Sequence, residues 1–147
     1  MQFKNLYQQL VQGAEIIRVL CAGVSQAEAR WKPDAQTWSM LEVLCHLYDE
    51  EREDFRAHLH VVLNQPAETW QEIDPQGWVT ARHYNEQDFA ATLQNFLQER
   101  AQSLGWLNSL AAPDWEAEYS TRFGSIRAGD LLAAWAAHDN LHIRQLV

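Results

Sequence analysis

The chain has 147 residues, 47% hydrophobic and 21% charged, and its 11 Lys and Arg against 20 Asp and Glu leave a formal charge of −9. That length fits one globular domain, able to bury about two thirds of its unfolded surface without staples. The acidic balance argues against a nucleic-acid partner, no apolar run approaches the ~20 residues of a membrane span, and Met1-Gln2-Phe3-Lys4-Asn5 lacks the cationic and apolar segments of a signal peptide. Cys21 and Cys45 form no paired-cysteine motif and are expected to be free thiols in a reducing, cytoplasmic setting.

Six glycines and four prolines fall in clusters that separate four long periodic stretches. In the first, Phe3, Tyr7, Leu10, Ala14, Ile17 and Cys21 form one helical stripe, closed by Gly23 and Pro33. The second opens on Ser39-Met40-Leu41-Glu42, a capping-box pattern, and continues through Leu41, Cys45, Tyr48, Arg52, Phe55, Leu59 and Val62 to a stop at Asn64-Gln65-Pro66. The segment from Pro66 to Asn85 has no sustained period and reads as a long connection, of the kind that crosses a fold or shapes a site. A third helix is expected from a cap at Asn85 to about Leu110, with the stripe Phe89, Leu93, Phe96, Arg100, Leu104 and Leu107. Pro113 to Gly124 reads as a second connection, before a last helix over Ala128 to Leu146. No segment alternates as a strand does. The expected class is therefore all-α: a four-helix bundle with a long crossover between helices 2 and 3.

The last helix carries the chemistry. Its stripe Leu131, Trp135, His138, His142 and Gln145 puts two histidines one turn apart on one face, within reach of a single cation. Two readings stand at this point: a metal pair, or core-edge histidines bonded to backbone or carboxylates. His138-Asp139-Asn140-Leu141-His142 also resembles the zinc-protease motif, but no His, Asp or Glu follows His142 to complete that site. A third ligand must come from earlier in the chain, where His46, His58, His60 and His83 are the candidates. His58 and His60 point to different faces of a helix and are read as solvated. His83 lies in the connection, and His46 sits beside the main stripe of helix 2, near Glu42, Asp49 and Glu53.

Three blocks resemble the DinB-like superfamily of metal-dependent bundles. They are Trp38-Ser39-Met40-Leu41-Glu42 with Cys45 to Glu50; Trp78-Val79 with Arg82 to Asn85, Phe96 and Arg100; and Gly124 with Trp135 to His142 and Gln145. The resemblance implies a four-helix bundle with an unusual crossover and a three-histidine metal site. Carried onto this sequence, that site is His46, His138 and His142. It also implies a homodimer, with which the outer apolar positions Val43, Leu47 and Val61 are compatible, and the family includes thiol-dependent S-transferases and isomerases.

Three neutral histidines leave a coordination position open, as in catalytic sites. The cofactor expected is a divalent transition metal, zinc or nickel first and iron next, that activates a thiolate or water for a small-molecule, thiol-type substrate. Glu42, Asp49 and Glu50 are candidates to hydrogen-bond and orient the ligating histidines or to shuttle a proton, and Trp38 and Trp135 to wall an apolar pocket. Asp139, about 100° around the helix from His138, reads as solvated or paired outside. Arg100 reads either as a buried partner of Glu42 or Asp49, or as an anchor for an anionic substrate. The alternative to an enzyme is a non-catalytic metal-binding bundle or dimer in a stress-response setting.

Overall fold

A computed structural model describes residues 2–64 and 69–147. Helix α1, Phe3–Cys21, ends where Gly23 takes a left-handed turn (φ +75°) that a side chain would disfavour. A short α2, Gln26–Arg30, follows; its Ser25–Glu28 capping box has the same grammar as the one expected at Ser39. The Ser39–Glu42 box starts the second long helix, which comprises α3 (Met40–Asp49), a π-helical segment (Glu50–Phe55) and α4 (Arg56–Asn64). The stop expected at Gln65-Pro66 lies outside the described residues.

The crossover holds regular structure that a lack of periodicity does not reveal. Asp74 caps α5, Pro75–Ala81, with proline in the first turn, where its missing N–H costs nothing. A 3₁₀ turn over Tyr84–Glu86 follows. The third long helix, α6 (Phe89–Ser109), is capped by Asp88 and not by Asn85. Asn85 instead accepts a hydrogen bond from the Ser39 hydroxyl at 2.6 Å and donates to the Arg30 carbonyl at 3.2 Å, tying the crossover to the start of α3. The second connection, read as irregular, contains a hairpin: β1 (Glu118–Thr121) pairs antiparallel with β2 (Gly124–Arg127). Four-residue strands are too short to display a period of two against their neighbours. Helix α7, Ala128–Leu146, completes the bundle.

Packing gives the helix directions. Leu10 early in α1 clusters with Leu131 and Trp135 early in α7, while Cys21 and Leu146, the last residues of each, share the opposite cluster, so α1 and α7 run parallel. Leu41 and Leu44 share that second cluster with Phe89 and Phe96, so α3 and α6 are parallel too. Two consecutive parallel helices need a connection that travels back along the bundle, which explains the long crossover. Each long helix packs chiefly on two others: α1 on α7 and α6, and α3 on α6 and α7.

The π segment re-phases the second helix. A regular stripe would bury Tyr48 and Arg52, yet both are only partly buried, with the Arg52 guanidinium 4.5 Å from the Tyr48 ring. Buried in this stretch are instead Asp49, Glu50 and Glu51 in succession, then Phe55, His58, Leu59, Val61 and Val62. Val43, Leu47 and Val61, expected on an outer face, are buried within the chain. Among the described residues no helix is long and apolar enough to cross a membrane.

Gly13 of α1 faces α7 so closely that a Cβ there would lie 2.2 Å from Asp139 Oδ2. Gly105 of α6 has nothing within 4 Å of such a Cβ. Chemical denaturation should therefore separate the two: Gly105→Ala stabilises by up to ~1 kcal/mol through helix propensity, whereas Gly13→Ala destabilises by about 2 kcal/mol or more. Equal shifts for the two variants would contradict the close approach at Gly13.

Candidate metal centre

Two apolar clusters fill the ends of the bundle, and between them lies a polar layer. Arg100 on α6 is 1% exposed at the centre of that layer. Its guanidinium pairs with Glu51 of the π segment at 2.7 and 2.9 Å and with Asp139 of α7 at 2.7 and 2.8 Å. It also donates to the Leu10 carbonyl of α1 at 2.8 Å, and the Trp135 indole donates to Glu51 at 2.9 Å. All four long helices thus meet at one cation. Arg100 is an internal partner, but of Glu51 and Asp139, not of Glu42 or Asp49, and it is too enclosed to anchor a substrate. Asp139 is likewise buried, the opposite of the solvated position read from the helical wheel. A wheel counts 100° steps and cannot see that Gly13 leaves room for a carboxylate on that side. Trp135 is fully buried in this layer and stacks on Phe55 at 5.9 Å, so it backs the site and does not wall a cleft.

On either side of Asp139 in the sequence, His138 directly before it and His142 three residues after it converge with His46 of α3. The Nε2 atoms of His46, His138 and His142 form a triangle with edges of 3.2, 3.0 and 3.0 Å. Donors bound to one metal at ~2.0–2.1 Å are separated by about 3.0–3.4 Å, depending on the bond angle. A neutral imidazole carries one N–H, so three mutually close Nε2 atoms suit lone pairs aimed at a common point better than three hydrogen bonds. His142 fixes its tautomer accordingly: its Nδ1 donates to Gln145 Oε1 at 2.6 Å, leaving Nε2 bare. Burial lowers all three pKa values, with the neighbouring imidazoles adding to the effect for two of them: His46 is pushed down to about 4 and His138 to about 2. The rings are neutral at neutral pH, the form that binds metals.

Glu50 stands beside the triangle. Its Oε2 is 3.7 Å from His138 Nε2, and its Oε1, like His46 Nδ1, is buried without a hydrogen-bond partner. Burial first, and then the Asp54 carboxyl, push Glu50 up to about 9. Three converging lone pairs are a set of groups that a divalent cation would satisfy, and the orphaned carboxyl oxygen stands beside them as a proton acceptor. Above the triangle a cleft of about 580 Å³ is lined by Trp38, Val43, Gln36, Gln76 and Leu141 besides the histidines and Gln145. Trp38 walls it as expected, with its ring 5.0 Å from that of His46.

Other candidates lie elsewhere. Glu42 closes the Ser39 capping box and pairs with Lys32 at 2.9 Å. Asp49 accepts from Arg52, Arg82 and the Tyr84 hydroxyl, on a different face of α3. His58, read as solvated, is buried: it bridges Asp54 at 2.7 Å and the Gln71 carbonyl at 2.6 Å and stacks on Trp70 at 3.8 Å. The crossover covers that face of α4, which helix spacing could not show. His60 is half-buried with its ring 5.8 Å from that of Trp106, and His83 is exposed beside Glu86. Cys45 and Cys21 are free, buried thiols, pushed by burial up to about 12 and about 11. Sequence reasoning missed Glu51 and the roles of Asp54 and Gln145.

A helical bundle with three inward histidines on its second and last long helices is the class of protein defined here, and these three residues can hold a divalent metal ion. The chain belongs to the DinB superfamily, whose family model matches residues 9–146. Among solved structures it is similar to YfiT from Bacillus subtilis, described as a probable metal-dependent hydrolase with an unusual four-helix bundle topology. That match has a TM-score of 0.85 and 14% identity over 99% of this chain and 83% of that one. It is also similar to the mycothiol-dependent maleylpyruvate isomerase (TM-score 0.74, 16% identity) and to a histidine-to-alanine variant of it (0.77, 14%). In both cases the match covers 99% of this chain but only 61% of the other. No curated protein matches by sequence.

Arg100→Leu should cost about 3–5 kcal/mol in denaturant unfolding, because it strands two buried carboxylates; a loss below ~1 kcal/mol would contradict the four-helix role of the cation. Gln145→Leu should leave stability nearly unchanged while weakening zinc binding by about 10–100-fold in a competition titration with a chromophoric chelator.

Proposed function

We propose that this protein is a divalent-metal-dependent enzyme that activates a thiol for S-transfer, with His46, His138 and His142 as the metal ligands. The observation that carries this reading is the convergence of three Nε2 atoms 3.0–3.2 Å apart at the floor of an open cleft, with an unpartnered carboxyl at their side. A purely structural metal site would close its shell with a fourth protein ligand; among the described residues only these three His/Cys/Asp/Glu side chains converge. The thiol is suggested by the mycothiol-dependent isomerase that shares the fold.

A divalent ion held by His46, His138 and His142 would supply Lewis acidity, lowering the pKa of a thiol or water there and favouring the ionised form of Glu50. The chain's own groups do the rest. Glu50 accepts the thiol proton; the sulfur then forms a bond to the electrophilic carbon of the second substrate. The leaving group departs with its electron pair and takes the proton back from Glu50. Trp38 shields the reacting atoms on one side, and Gln145 holds His142 in the tautomer that keeps Nε2 bare. The Arg100 layer lies behind the site and fixes the register of α7, and so of His138 and His142.

The test has two parts. Elemental analysis should find about one zinc, nickel or iron per chain, lost in His142→Ala. Glu50→Gln should retain the metal yet slow thiol consumption with an electrophilic acceptor by at least ~10²-fold. No metal in the parent, even after incubation with zinc or nickel, would overturn the reading. Release of the acceptor's leaving group without consumption of thiol would instead make water the nucleophile, as in a hydrolase.

A further inference from the structure

A buried carboxylate beside a divalent cation is ordinarily drawn into the cation's shell, because few other partners offset the cost of its burial as well. Glu50 is placed for that. It is 4% exposed, its Oε1 has no hydrogen-bond donor, and its Oε2 lies 3.7 Å from His138 Nε2. Donors that share one metal ion stand only slightly closer, at about 3.0–3.4 Å. Yet Glu50 is not among the three side chains whose ligand atoms converge.

A second chain of buried groups accounts for this. Asp54, four residues on in the same π segment, has its carboxyl at hydrogen-bonding distance from that of Glu50. Asp54 is itself fixed by His58, whose Nδ1 lies 2.7 Å from Asp54 Oδ1. His58 Nε2 donates to the Gln71 carbonyl at 2.6 Å, and the ring stacks on Trp70 at 3.8 Å with 1° between the planes. Because a carbonyl only accepts, Nε2 carries a proton, and a further proton bridges Nδ1 and Oδ1. Both ring nitrogens are thus committed and the residue is 2% exposed, so His58 anchors Asp54 and passes no proton to solvent. Trp70 stacks in turn on Tyr119 of β1 at 5.5 Å, which backs the anchor with the hairpin.

We infer that Asp54, held by His58, is a positioning residue that keeps Glu50 out of the metal's shell and so leaves the fourth coordination position open to a ligand from the cleft. This rests on the three-histidine metal site proposed above. Truncating Asp54 frees Glu50 to close the shell as a fourth protein ligand.

Cobalt(II) reports the difference without any substrate, since azide that enters an open position shifts the metal's d–d bands. Cobalt affinity and azide affinity are compared in the parent protein and in Asp54→Ala, Asp54→Asn and His58→Phe. Asp54→Ala should bind cobalt at least about tenfold more tightly and azide at least about tenfold more weakly, and adding Glu50→Gln should restore the azide response. Asp54→Asn, whose amide still reaches Glu50, should behave as the parent does. His58→Phe keeps a ring against Trp70 but cannot bond Asp54; it should move both affinities in the direction of Asp54→Ala, and it carries the test if the truncated variant does not fold. Parent-like affinities in either Asp54→Ala or His58→Phe, or changes that survive Glu50→Gln, overturn the inference and leave the metal site intact. A parent protein whose cobalt spectrum azide does not perturb overturns it too. Cobalt that binds His142→Ala as tightly as the parent overturns the metal site itself, and this inference with it.

Discussion

Arg100 is a charged side chain placed where four helices meet, and the rest of the molecule is arranged around satisfying it. Taking a guanidinium out of water costs several kcal/mol, and the cost is offset only by excellent geometry. Two forked carboxylate pairs and a backbone carbonyl provide that geometry, one contribution from each of the other three long helices. Glu51 and Asp139 together outweigh Arg100 in charge. Burial raises the pKa of Asp139 against the opposing pull of the guanidinium. The layer is therefore a poor source of net stability and a strong source of register. Sliding α7 by one residue would take Asp139 from Arg100 and press a different side chain on Gly13.

That register matters because Asp139 lies directly after His138 and three residues before His142. Anchoring the carboxylate anchors both imidazoles, in the way that a rigid supporting shell fixes a site. The π segment performs the matching task on the second helix. Glu50 and Glu51, adjacent in that segment, are both buried and have different duties. Glu51 faces Arg100, and Glu50 faces the histidines. Structure and chemistry are thus handed to adjacent residues, and the polar layer joins the metal centre to the packing of the whole bundle.

Much of this was legible in the residues. The 4-and-3 spacing of apolar positions yields four long helices, and the gap from Pro66 to Asn85 yields the crossover, because both are local patterns. The His138–His142 pair is legible for the same reason, since i, i+4 spacing defines a helical face. His46 was not singled out by spacing; it emerged only from likeness to the DinB family, because contacts between helices leave no mark on a single helix's period. Arg100 stood out as a charge on an apolar stripe, but its partners were misassigned. Glu42 is committed to a capping box, and the role of Glu51 depends on a π turn that no sequence rule located. Asp139, read as solvated or paired outside, and His58, read as solvated, are misplaced for one shared reason: a helical wheel has no knowledge of what covers it, here Gly13 of α1 and Trp70 of the crossover.

The central claim is that the bundle pre-assembles three histidines around a cation and leaves the remaining coordination position to a ligand. Anomalous diffraction at the zinc edge from crystals of the zinc-loaded protein tests it most directly. The account predicts one peak at ~2.0–2.1 Å from the Nε2 atoms of His46, His138 and His142, with a non-protein fourth ligand facing the cleft. A zinc ion bound elsewhere, or one whose shell Glu50 closes as a fourth protein ligand, would contradict it.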